Sequence, residues 1–245
     1  GGRRRPGRAG RLTVGPAPSP YSERMSPEPL AADGVLFDLD GVLVDSRVPF
    51  ARCVNAALEA QGIPARAEVD LHPYIGPPLH ATFEVLLDGR AQEPGLVEAC
   101  VDAYRARYRE AAATETALVP GIAAVLEQLA ARVPLVVATS KPAALAEPLL
   151  RALGLREHFG AVTGPSLAAR SEHKAETVGR ALQTLPGRRR PVMVGDRRFD
   201  VVAAAAHGVA CVGVLWGIGS EQELRAAGAV AIAREPAEIG DLLGV

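Results

Sequence analysis

Short runs of apolar residues recur along the chain from residue 34 onward, and each run ends in turn-forming or polar residues. The runs lie at residues 35–37, 134–138, 161–162, 191–194 and 210–215. They are continuous rather than alternating, which is typical of strands buried on both faces of a parallel sheet. The pattern therefore predicts five short, buried strands.

Stretches with helical periodicity separate these runs. Apolar residues recur every three or four positions in residues 121–131, 142–153 and 174–185. Ser220, followed three positions later by Glu223, predicts a capping box that opens a short helix over residues 221–227. This alternation of strands and helices predicts an α/β fold with a doubly wound (Rossmann-like) parallel sheet as its core.

One region interrupts the alternation. Residues 47–116 contain several helical periods and no convincing strand. This stretch is too long for a single crossover between strands, so we predict an inserted all-helical domain there, with residues 31–46 and 117–245 forming the α/β core. Gly, Pro and His residues within 72–78 predict a rigid turn inside the insert.

The start of the chain has a different composition. Residues 1–30 hold five Arg in the first eleven positions, followed by Pro, Ser and Gly without apolar periodicity, which predicts a disordered tail. No apolar segment of the kind found in secretory signals follows the charges. A transit peptide or a nucleic-acid-binding arm is the alternative. We expect the functional chain to start near Met25.

Composition narrows the class of protein. Of the 245 residues 48% are hydrophobic and 22% are charged, which suits a globular chain with a buried core. The net charge of −1 gives no global field for nucleic acid or an anionic membrane, so we expect neither partner. Three widely spaced cysteines favour neither a disulfide framework nor a zinc site. We expect a cytoplasmic monomer or homodimer.

Lysine is scarce in this sequence. Of the 27 basic residues only Lys141 and Lys174 are lysines, and the other 25 are arginines. A coding bias explains the excess of Arg. The two lysines either survive by chance or stand where a compact ammonium is needed that a planar guanidinium does not replace.

Two acidic pairs follow predicted strands. Asp38 and Asp40 lie two positions apart, so both carboxylates leave the chain on the same side. Carboxyl ends of parallel strands line the ligand crevice of an open sheet. Like charges about 4 Å apart repel by roughly 4 kcal/mol at an effective dielectric constant of about 20, so the pair favours a cation. Asp196 and Asp200 follow a later strand, where a helix N-cap is the alternative interpretation.

A hydroxyl pair and a lysine lie at further strand and helix ends. The strand at 134–138 ends in Thr139 and Ser140, and the following turn enters a helix whose N-terminal amides suit a phosphate. Lys174 opens the helix that precedes the Asp196 strand. Ordinary helix starts and solvated lysines also give this pattern, but the joint placement in a lysine-poor chain favours an anion-binding site.

Taken in order, these residues resemble the four motifs of the haloacid-dehalogenase-like (HAD) hydrolase superfamily. The motifs are residues 38–41, Thr139, Lys174 and residues 195–200, and the helical insert is similar to the superfamily's helical cap domain. Residues 74–79, 138–142 and 213–220 resemble the phosphoglycolate-phosphatase and 5′-nucleotidase-like branch. The resemblance covers residues 33–245.

The resemblance implies a Mg²⁺-dependent phosphomonoester hydrolase that acts on a small phosphorylated metabolite through an aspartyl-phosphate. It implies that Asp38 is the nucleophile and that Asp40 is the general acid and then the base. Further implied roles are phosphate binding by Thr139, Ser140 and Lys174, metal binding by Asp38, the Asp40 carbonyl oxygen and Asp196, and orientation of Lys174 or metal-bound water by Asp200. Oxygen ligands suit Mg²⁺.

Alternatives within and beyond the superfamily stay open. A phosphosugar mutase has all four motifs, and a non-catalytic binding protein on the same fold is the alternative from another class. Dehalogenases lack the second Asp of the first motif, which is present here as Asp40, and phosphonate cleavage needs a cap lysine that residues 47–116 lack. Candidates to face the site from the cap are Arg47, His72, Tyr74 and His80.

Overall fold

Six parallel strands form the central sheet of the structure, a computed structural model that describes residues 28–170 and 172–245. All strands are, in chain order, β1 (Gly34–Phe37), β2 (Val44–Asp45), β3 (Ala117–Leu118), β4 (Leu135–Ala138), β5 (Phe159–Thr163), β6 (Pro191–Gly195), β7 (Ala210–Val214) and β8 (Ala231–Ala233). The sheet has the order β5-β4-β1-β6-β7-β8, which is the predicted doubly wound parallel arrangement. β1 lies at its centre, so the residues that follow β1 emerge in the middle of the carboxyl edge.

Helices surround this sheet. They are α1 (Arg47–Ala60), α2 (Glu68–Leu71), α3 (Leu79–Leu87), α4 (Leu96–Glu115), α5 (Ile122–Ala130), α6 (Ala143–Ala152), α7 (Lys174–Gln183), α8 (Arg198–Ala205), α9 (Glu221–Ala227) and α10 (Glu238–Leu243). Short 3₁₀ helices lie at His72–Tyr74, Asp88–Gln92 and Arg156–His158. Among the residues that the structure describes, no helix combines the length and the apolar character needed to cross a membrane.

The continuous apolar runs are explained by burial on both faces of the sheet. Val35 and Phe37 of β1 belong to the core that α5, α6 and α10 cover, whereas Leu36 belongs to the core that α7, α8 and α9 cover. Neighbouring strands repeat this division, and Leu36 is in register with both Val136 and Met193. No face of β1 is exposed to water, so the strand carries no polar residue.

Helices α1 to α4 occupy the stretch in which no strand was expected, and residues 47–115, all of them described, contain none. α1 and α4 pack side by side, and aromatic side chains fill the space between the helices. Tyr104 contacts Phe50 and Phe83 edge to face and stacks on Tyr108 at a centroid distance of 5.7 Å. The aromatic side chains belong to the same buried apolar core as Val35 and Phe37 of β1, so these helices pack continuously against one face of the sheet.

The two chain connections of this helical stretch lie side by side. β2 precedes α1, β3 follows α4, and the two strands pair antiparallel, with Val44 opposite Leu118. The sequence analysis did not predict either strand, because two residues are too few to show a period. β8 and α10 were also not predicted.

The end of the predicted tail belongs to the folded chain. The Leu30 amide donates to the Leu242 carbonyl and the Ala32 amide to the Leu243 carbonyl, which ties this segment to α10. Packing thus begins by Leu30 rather than after it. Residues 1–27 of the predicted tail, including the expected start near Met25, lie outside the described residues.

Candidate active site

Three carboxylates from two strand ends converge at the middle of the carboxyl edge. Asp38 follows β1, and Asp196 follows β6, the strand beside it. Asp200 lies in the first turn of α8, directly after that strand. One oxygen from each of the three side chains lies within 4.8 Å of the other two, and all three side chains are buried. Adjacent parallel strands bring Asp38 of the first acidic pair together with both members of the second pair.

Lys174 lies among these carboxylates. Its Nζ is 2.7 Å from Asp38 Oδ1 and 2.9 Å from Asp200 Oδ1, and its side chain is 7% exposed. Burial favours the neutral amine, but the Asp200 and Asp38 carboxylates outweigh it and raise the pKa of Lys174. Lys174 is the first residue of α7, so the helix start fixes the position of the ammonium group. The lysine is therefore charged and structurally held.

One ammonium does not balance three carboxylates. Burial raises the pKa of Asp38 to about 6, an effect that Lys174 opposes and the Asp200 charge reinforces. Burial and then the charges of Asp200 and Asp38 raise the pKa of Asp196 well above its usual range. Buried like charges repel strongly where water does not screen them. The cluster therefore favours either an added proton or an added cation.

The loop after β7 holds the Asp196 carboxylate. The Ile218 amide donates to Asp196 Oδ2 at 2.7 Å, while Asp196 Oδ1 is buried without a hydrogen-bond partner among the described residues. A Cβ atom on Gly41 or on Gly217 would overlap the Asp196 carboxylate, so both positions require glycine. Gly41 also has a φ of +84°, which side chains disfavour. The Ile218 amide thus fixes Asp196 Oδ2, and Asp196 Oδ1 keeps its capacity to accept a hydrogen bond or bind a cation.

Asp200 has two functions in the structure. Its Oδ2 accepts a hydrogen bond from the Arg197 amide at 3.1 Å, so Asp200 is the early acidic residue of the helix start, while the N-cap position is Arg197 and not Asp196. Its Oδ1 pairs with Lys174, which is the predicted orienting contact. A Cβ atom on Gly195 would overlap the Asp200 side chain, so the end of β6 is built to admit this carboxylate.

Asp40 pairs with a lysine that the sequence analysis did not place in the site. Lys141 Nζ lies 2.6 Å from Oδ1 and 2.7 Å from Oδ2 of Asp40. Burial favours the neutral amine, but Asp40 and Tyr108 outweigh it and raise the pKa of Lys141. The Asp40 carboxylate is thus separate from the cluster of three, and metal binding through its carbonyl oxygen stays a prediction. The scarcity of lysine was the signal that pointed to Lys141.

Thr139 and Ser140 lie where the sequence placed them, after β4. Thr139 is buried, and its Oγ1 accepts a hydrogen bond from the Lys141 amide at 3.1 Å. The α6 amides offer a phosphate less than expected, because the Ala143 amide donates to Pro165 and the Leu145 amide to Pro142. These internal bonds stabilise the start of the helix.

A cavity lies between the helical insert and the carboxyl edge of the sheet. Its lining residues are Asp40, Ser46, Phe50, Ile75, Gly76, Pro77, Pro78, Leu79, His80, Tyr104, Arg105, Tyr108, Ser140, Lys141, Pro142, Leu145, Pro165, Ala169, Arg170 and Glu172. The cavity ends at the Asp40–Lys141 pair, and Asp38 does not belong to the described lining. Of the candidates from the insert, His80 lines the cavity, whereas Arg47 pairs with Asp45 at 2.6 Å. His72 and Tyr74 do not line it.

One arginine connects the insert to the Asp196 loop. Arg197 Nη1 donates to the Ile75 carbonyl at 2.8 Å, and its Nε donates to Glu223 at 3.0 Å. The capping box predicted for α9 forms only in part. The Ser220 hydroxyl accepts the Glu223 amide as expected, but the Glu223 carboxylate pairs with Arg197. The turn at residues 72–78 is therefore anchored beside the acidic cluster.

The fold and this arrangement of acids and lysine define a class of enzyme. Residues 35–214 match the family described as "Haloacid dehalogenase-like hydrolase", so the chain belongs to that family. A solved structure described as a predicted phosphatase from Clostridium acetobutylicum is similar, with a TM-score of 0.80 and 30% identity over 87% of this chain and 99% of that one.

Curated relatives narrow the class further. A protein named 5′-nucleotidase from Pseudomonas aeruginosa is 38% identical over 78% of this chain and 86% of its own length. A phosphoglycolate phosphatase from Yersinia pseudotuberculosis is 34% identical over 76% and 82%. A protein named tyrosine-protein kinase PtkA from Mycobacterium tuberculosis is 40% identical over 76% of this chain and 62% of its own length. The predicted enzyme class, a HAD-like phosphatase, is confirmed.

Proposed function

We propose that this enzyme is a Mg²⁺-dependent hydrolase of small phosphomonoesters, of the phosphoglycolate or nucleoside monophosphate type, and that it acts through an aspartyl-phosphate on Asp38. The observation that carries the proposal is the buried cluster of Asp38, Asp196 and Asp200 with Lys174 as its one cation among the described residues. The relatives named 5′-nucleotidase and phosphoglycolate phosphatase support the substrate range.

The donor atoms of the cluster suit a hard divalent cation. All of them are carboxylate oxygens, and the buried Asp196 Oδ1 has no hydrogen-bond partner among the described residues. Mg²⁺ prefers such oxygen ligands. We assign its binding to Asp38, Asp196 and the main-chain carbonyl of Asp40. When bound, the ion would neutralise charge on the phosphoryl oxygens.

The reaction needs an ionised nucleophile and a proton donor. In the proposed first step Asp40, released from Lys141, takes up a proton from solvent; an Asp38 oxygen then attacks phosphorus, the bond to the leaving oxygen breaks, and Asp40 gives that oxygen its proton. In the second step water attacks the aspartyl-phosphate, Asp40 takes the water proton, and inorganic phosphate leaves with Asp38 restored. Lys174, at 2.7 Å from Asp38, favours the ionised nucleophile and then balances the phosphoryl charge.

Access to Asp38 requires a rearrangement of the Asp40–Lys141 pair. The pair lines the cavity, whereas Asp38 does not line it and is 6% exposed. We propose that the incoming phosphoryl group attracts the Lys141 ammonium and releases Asp40 to face the leaving oxygen. Thr139 and Ser140, at the same turn, are placed to hydrogen-bond the phosphoryl oxygens.

Residues 47–116 are the proposed substrate-selecting cap domain, inserted between core segments 31–46 and 117–245. The run of four helices without a strand and the β2–β3 pair at its two connections support this division. Every cavity-lining residue from Phe50 to Tyr108 comes from this stretch. The cap therefore contributes the walls that contact the leaving group.

A phosphate-release assay over a panel of small phosphomonoesters, with Mg²⁺ and with EDTA, tests the proposal. Phosphoglycolate, nucleoside monophosphates and hexose phosphates form the panel, and the Asp38→Asn variant is the matched control. We expect Mg²⁺-dependent release by the native chain and none by the variant, with the same melting temperature to within a few degrees. Equal turnover by Asp38→Asn would remove the proposed nucleophile.

Three other results would identify the alternatives. Interconversion of hexose phosphates primed by a bisphosphate, without net phosphate release, would identify a mutase. Tight binding of a phosphomonoester with no turnover in Mg²⁺ would identify a binding protein. Transfer from ATP to a tyrosine peptide, with no ester hydrolysis in the absence of ATP, would align the chain with its kinase-named relative.

A further inference from the structure

One charged side chain in the cavity has no partner of opposite charge among the described residues. The other charged lining residues are paired, in the ion pairs Asp40–Lys141, Arg170–Glu98 and Glu172–Arg180. Arg105, on α4, lines the same cavity, and the described part of the chain offers its Nε neither an ion pair nor a hydrogen bond although that atom is buried. Its charge is therefore not compensated by the chain described.

A second polar group on α4 shares this condition. The Tyr108 hydroxyl is buried near the Lys141 ammonium and finds no acceptor for its own hydrogen in the described chain, and Tyr108 is 1% exposed. Residues three positions apart lie on one face of a helix, so Arg105 and Tyr108 approach the cavity from the same side. Burial raises the pKa of Tyr108, although Lys141 opposes this, so the phenol stays protonated. α4 thus presents two hydrogen-bond donors that lack acceptors.

The positive charge of Arg105 also acts on a neighbouring residue of the cavity, His80. Burial lowers the pKa of His80, and the positive charge of Arg105 lowers it next, with Arg170 acting in the same direction. Glu98 and Glu84 oppose the shift without reversing it. His80 therefore stays neutral while the guanidinium of Arg105 makes this end of the cavity attractive to an anion.

We propose that Arg105 and Tyr108 bind a second anionic group on the leaving group of the substrate, a carboxylate or another phosphate. This assignment rests on the proposed function, because the cavity is the leaving-group site only if Asp38 and Asp40 carry out the reaction. Two anionic oxygens match the fork of a guanidinium, and the phenol supplies one further donor. The preferred esters then carry a charge beyond the phosphate that is transferred.

Matched substrate pairs test this assignment. Phosphoglycolate is compared with ethyl phosphate, in which a methyl group replaces the carboxylate, and propane-1,3-diol bisphosphate with propyl phosphate. The variants are Arg105→Gln, Arg105→Lys and, as the control on an exposed position of the same helix, Arg109→Gln. We call the ester whose leaving group carries an anionic group the charged member of a pair, and the ester whose leaving group is uncharged the neutral member. We expect Arg105→Gln to lower kcat/KM for the charged member by about 10- to 100-fold, mainly through KM, and for the neutral member by less than about twofold.

The other variants sharpen the result. Arg105→Lys keeps the charge and loses the fork, so we expect an intermediate loss, and Arg109→Gln should match the native chain. The pair that responds more strongly identifies carboxylate or phosphate as the second group. Equal losses on the charged and neutral members, or no preference of the native chain for a charged member, would overturn the assignment.

A binding measurement separates this inference from the proposed function. Isothermal titration calorimetry of phosphoglycolate in EDTA compares the native chain with Arg105→Gln, and we expect at least tenfold weaker binding by the variant. Such weakening in a chain that hydrolyses no ester in Mg²⁺ would support the anion site and contradict the proposed function. Equal binding would overturn the anion site even if ethyl phosphate is hydrolysed normally.

Discussion

Lys141 and Asp40 form a two-contact ion pair, with Nζ 2.6 Å and 2.7 Å from the two carboxylate oxygens. The lysine belongs to the turn after β4, and the aspartate follows β1, the neighbouring strand. Both side chains are nearly buried, at 10% and 15% exposed. The pair lies where the cavity ends, with Tyr108 of α4 contacting the ammonium through its ring face at 4.8 Å from the ring centroid. It therefore joins the catalytic edge to the helical insert.

Removing one member of this pair should be worse for stability than removing both. Lys141→Met leaves a nearly buried carboxylate without its cation, and we expect it to lower the free energy of unfolding by about 1–3 kcal/mol. Adding Asp40→Asn to Lys141→Met should recover part of that loss. Urea unfolding of the two single variants and the double variant measures the coupling, and strictly additive effects would contradict the pairing.

Lys141→Met should also slow the reaction. Without the lysine, no side chain among the described residues holds the Asp40 carboxylate in place. The ammonium that would attract the phosphoryl group is also lost, so we expect kcat to fall at least tenfold. Arg151→Met, at a 69% exposed position on α6, is the control and should stay within about twofold of the native rate. An unchanged kcat in Lys141→Met would limit the lysine to a structural function.

Lys174→Arg should lose most activity although it keeps the charge. The lysine side chain is 7% exposed and its Nζ contacts both Asp38 and Asp200, so a larger planar guanidinium does not fit the same buried space. We expect a loss of at least tenfold in kcat and a lower melting temperature. The reverse exchange Arg225→Lys, at a 57% exposed surface pair, should change neither quantity measurably. Native activity in Lys174→Arg would show that any buried cation is sufficient.

The contribution of Asp38 to the stability of the metal-free protein should fall as pH rises from about 4 to about 6. Asp38 has an ordinary pKa of 3.8 and a value raised to about 6 in the fold, so between these values this group binds more protons in the folded state than in the unfolded state. Its contribution to the free energy of unfolding then falls with pH, because deprotonation adds charge to the acidic cluster. Calorimetry in EDTA, with Asp38→Asn as the comparison that lacks this contribution, measures the slope.

The same cluster predicts how Mg²⁺ changes the melting temperature. Because the pKa of Asp38 is raised to about 6, its carboxylate is largely ionised near pH 7.5 and largely protonated near pH 5, so Mg²⁺ should raise the melting temperature more at the higher pH. Asp196→Asn should abolish most of this increase. A Mg²⁺ effect of equal size at both pH values would place the ion away from these carboxylates.

Gly217→Ala should disrupt the cluster without touching a charged residue. A Cβ atom at this position would overlap the Asp196 side chain, so the carboxylate must move away from Asp38. We expect at least a tenfold loss of activity and weaker Mg²⁺ binding. Gly89→Ala is the control, because a Cβ atom there meets nothing within 4 Å. Equal behaviour of the two variants would show that the loop after β7 adapts to the added methyl group.

Much of the fold follows from local sequence. Continuous apolar runs predicted five of the strands, since residues buried on both faces of a sheet leave no room for polar positions. Because Asp38 follows β1 and Asp196 follows β6, the sequence alone predicted that both residues lie on the carboxyl edge. The strands β2 and β3 have only two residues each, which is too few to show a pattern. Their pairing joins segments more than seventy residues apart, so it does not follow from local sequence.

The sequence by itself determined which residues reach the carboxyl edge, because strand ends and helix starts are set by neighbours along the chain. Only the tertiary structure decided the partners of these residues: Lys174 with Asp38 and Asp200, Lys141 with Asp40, and Arg105 with none in the described chain. Such pairings depend on distances across the sheet and between the insert and the core. Local hydrophobic pattern carries no information about these distances, since they are fixed by how whole elements pack.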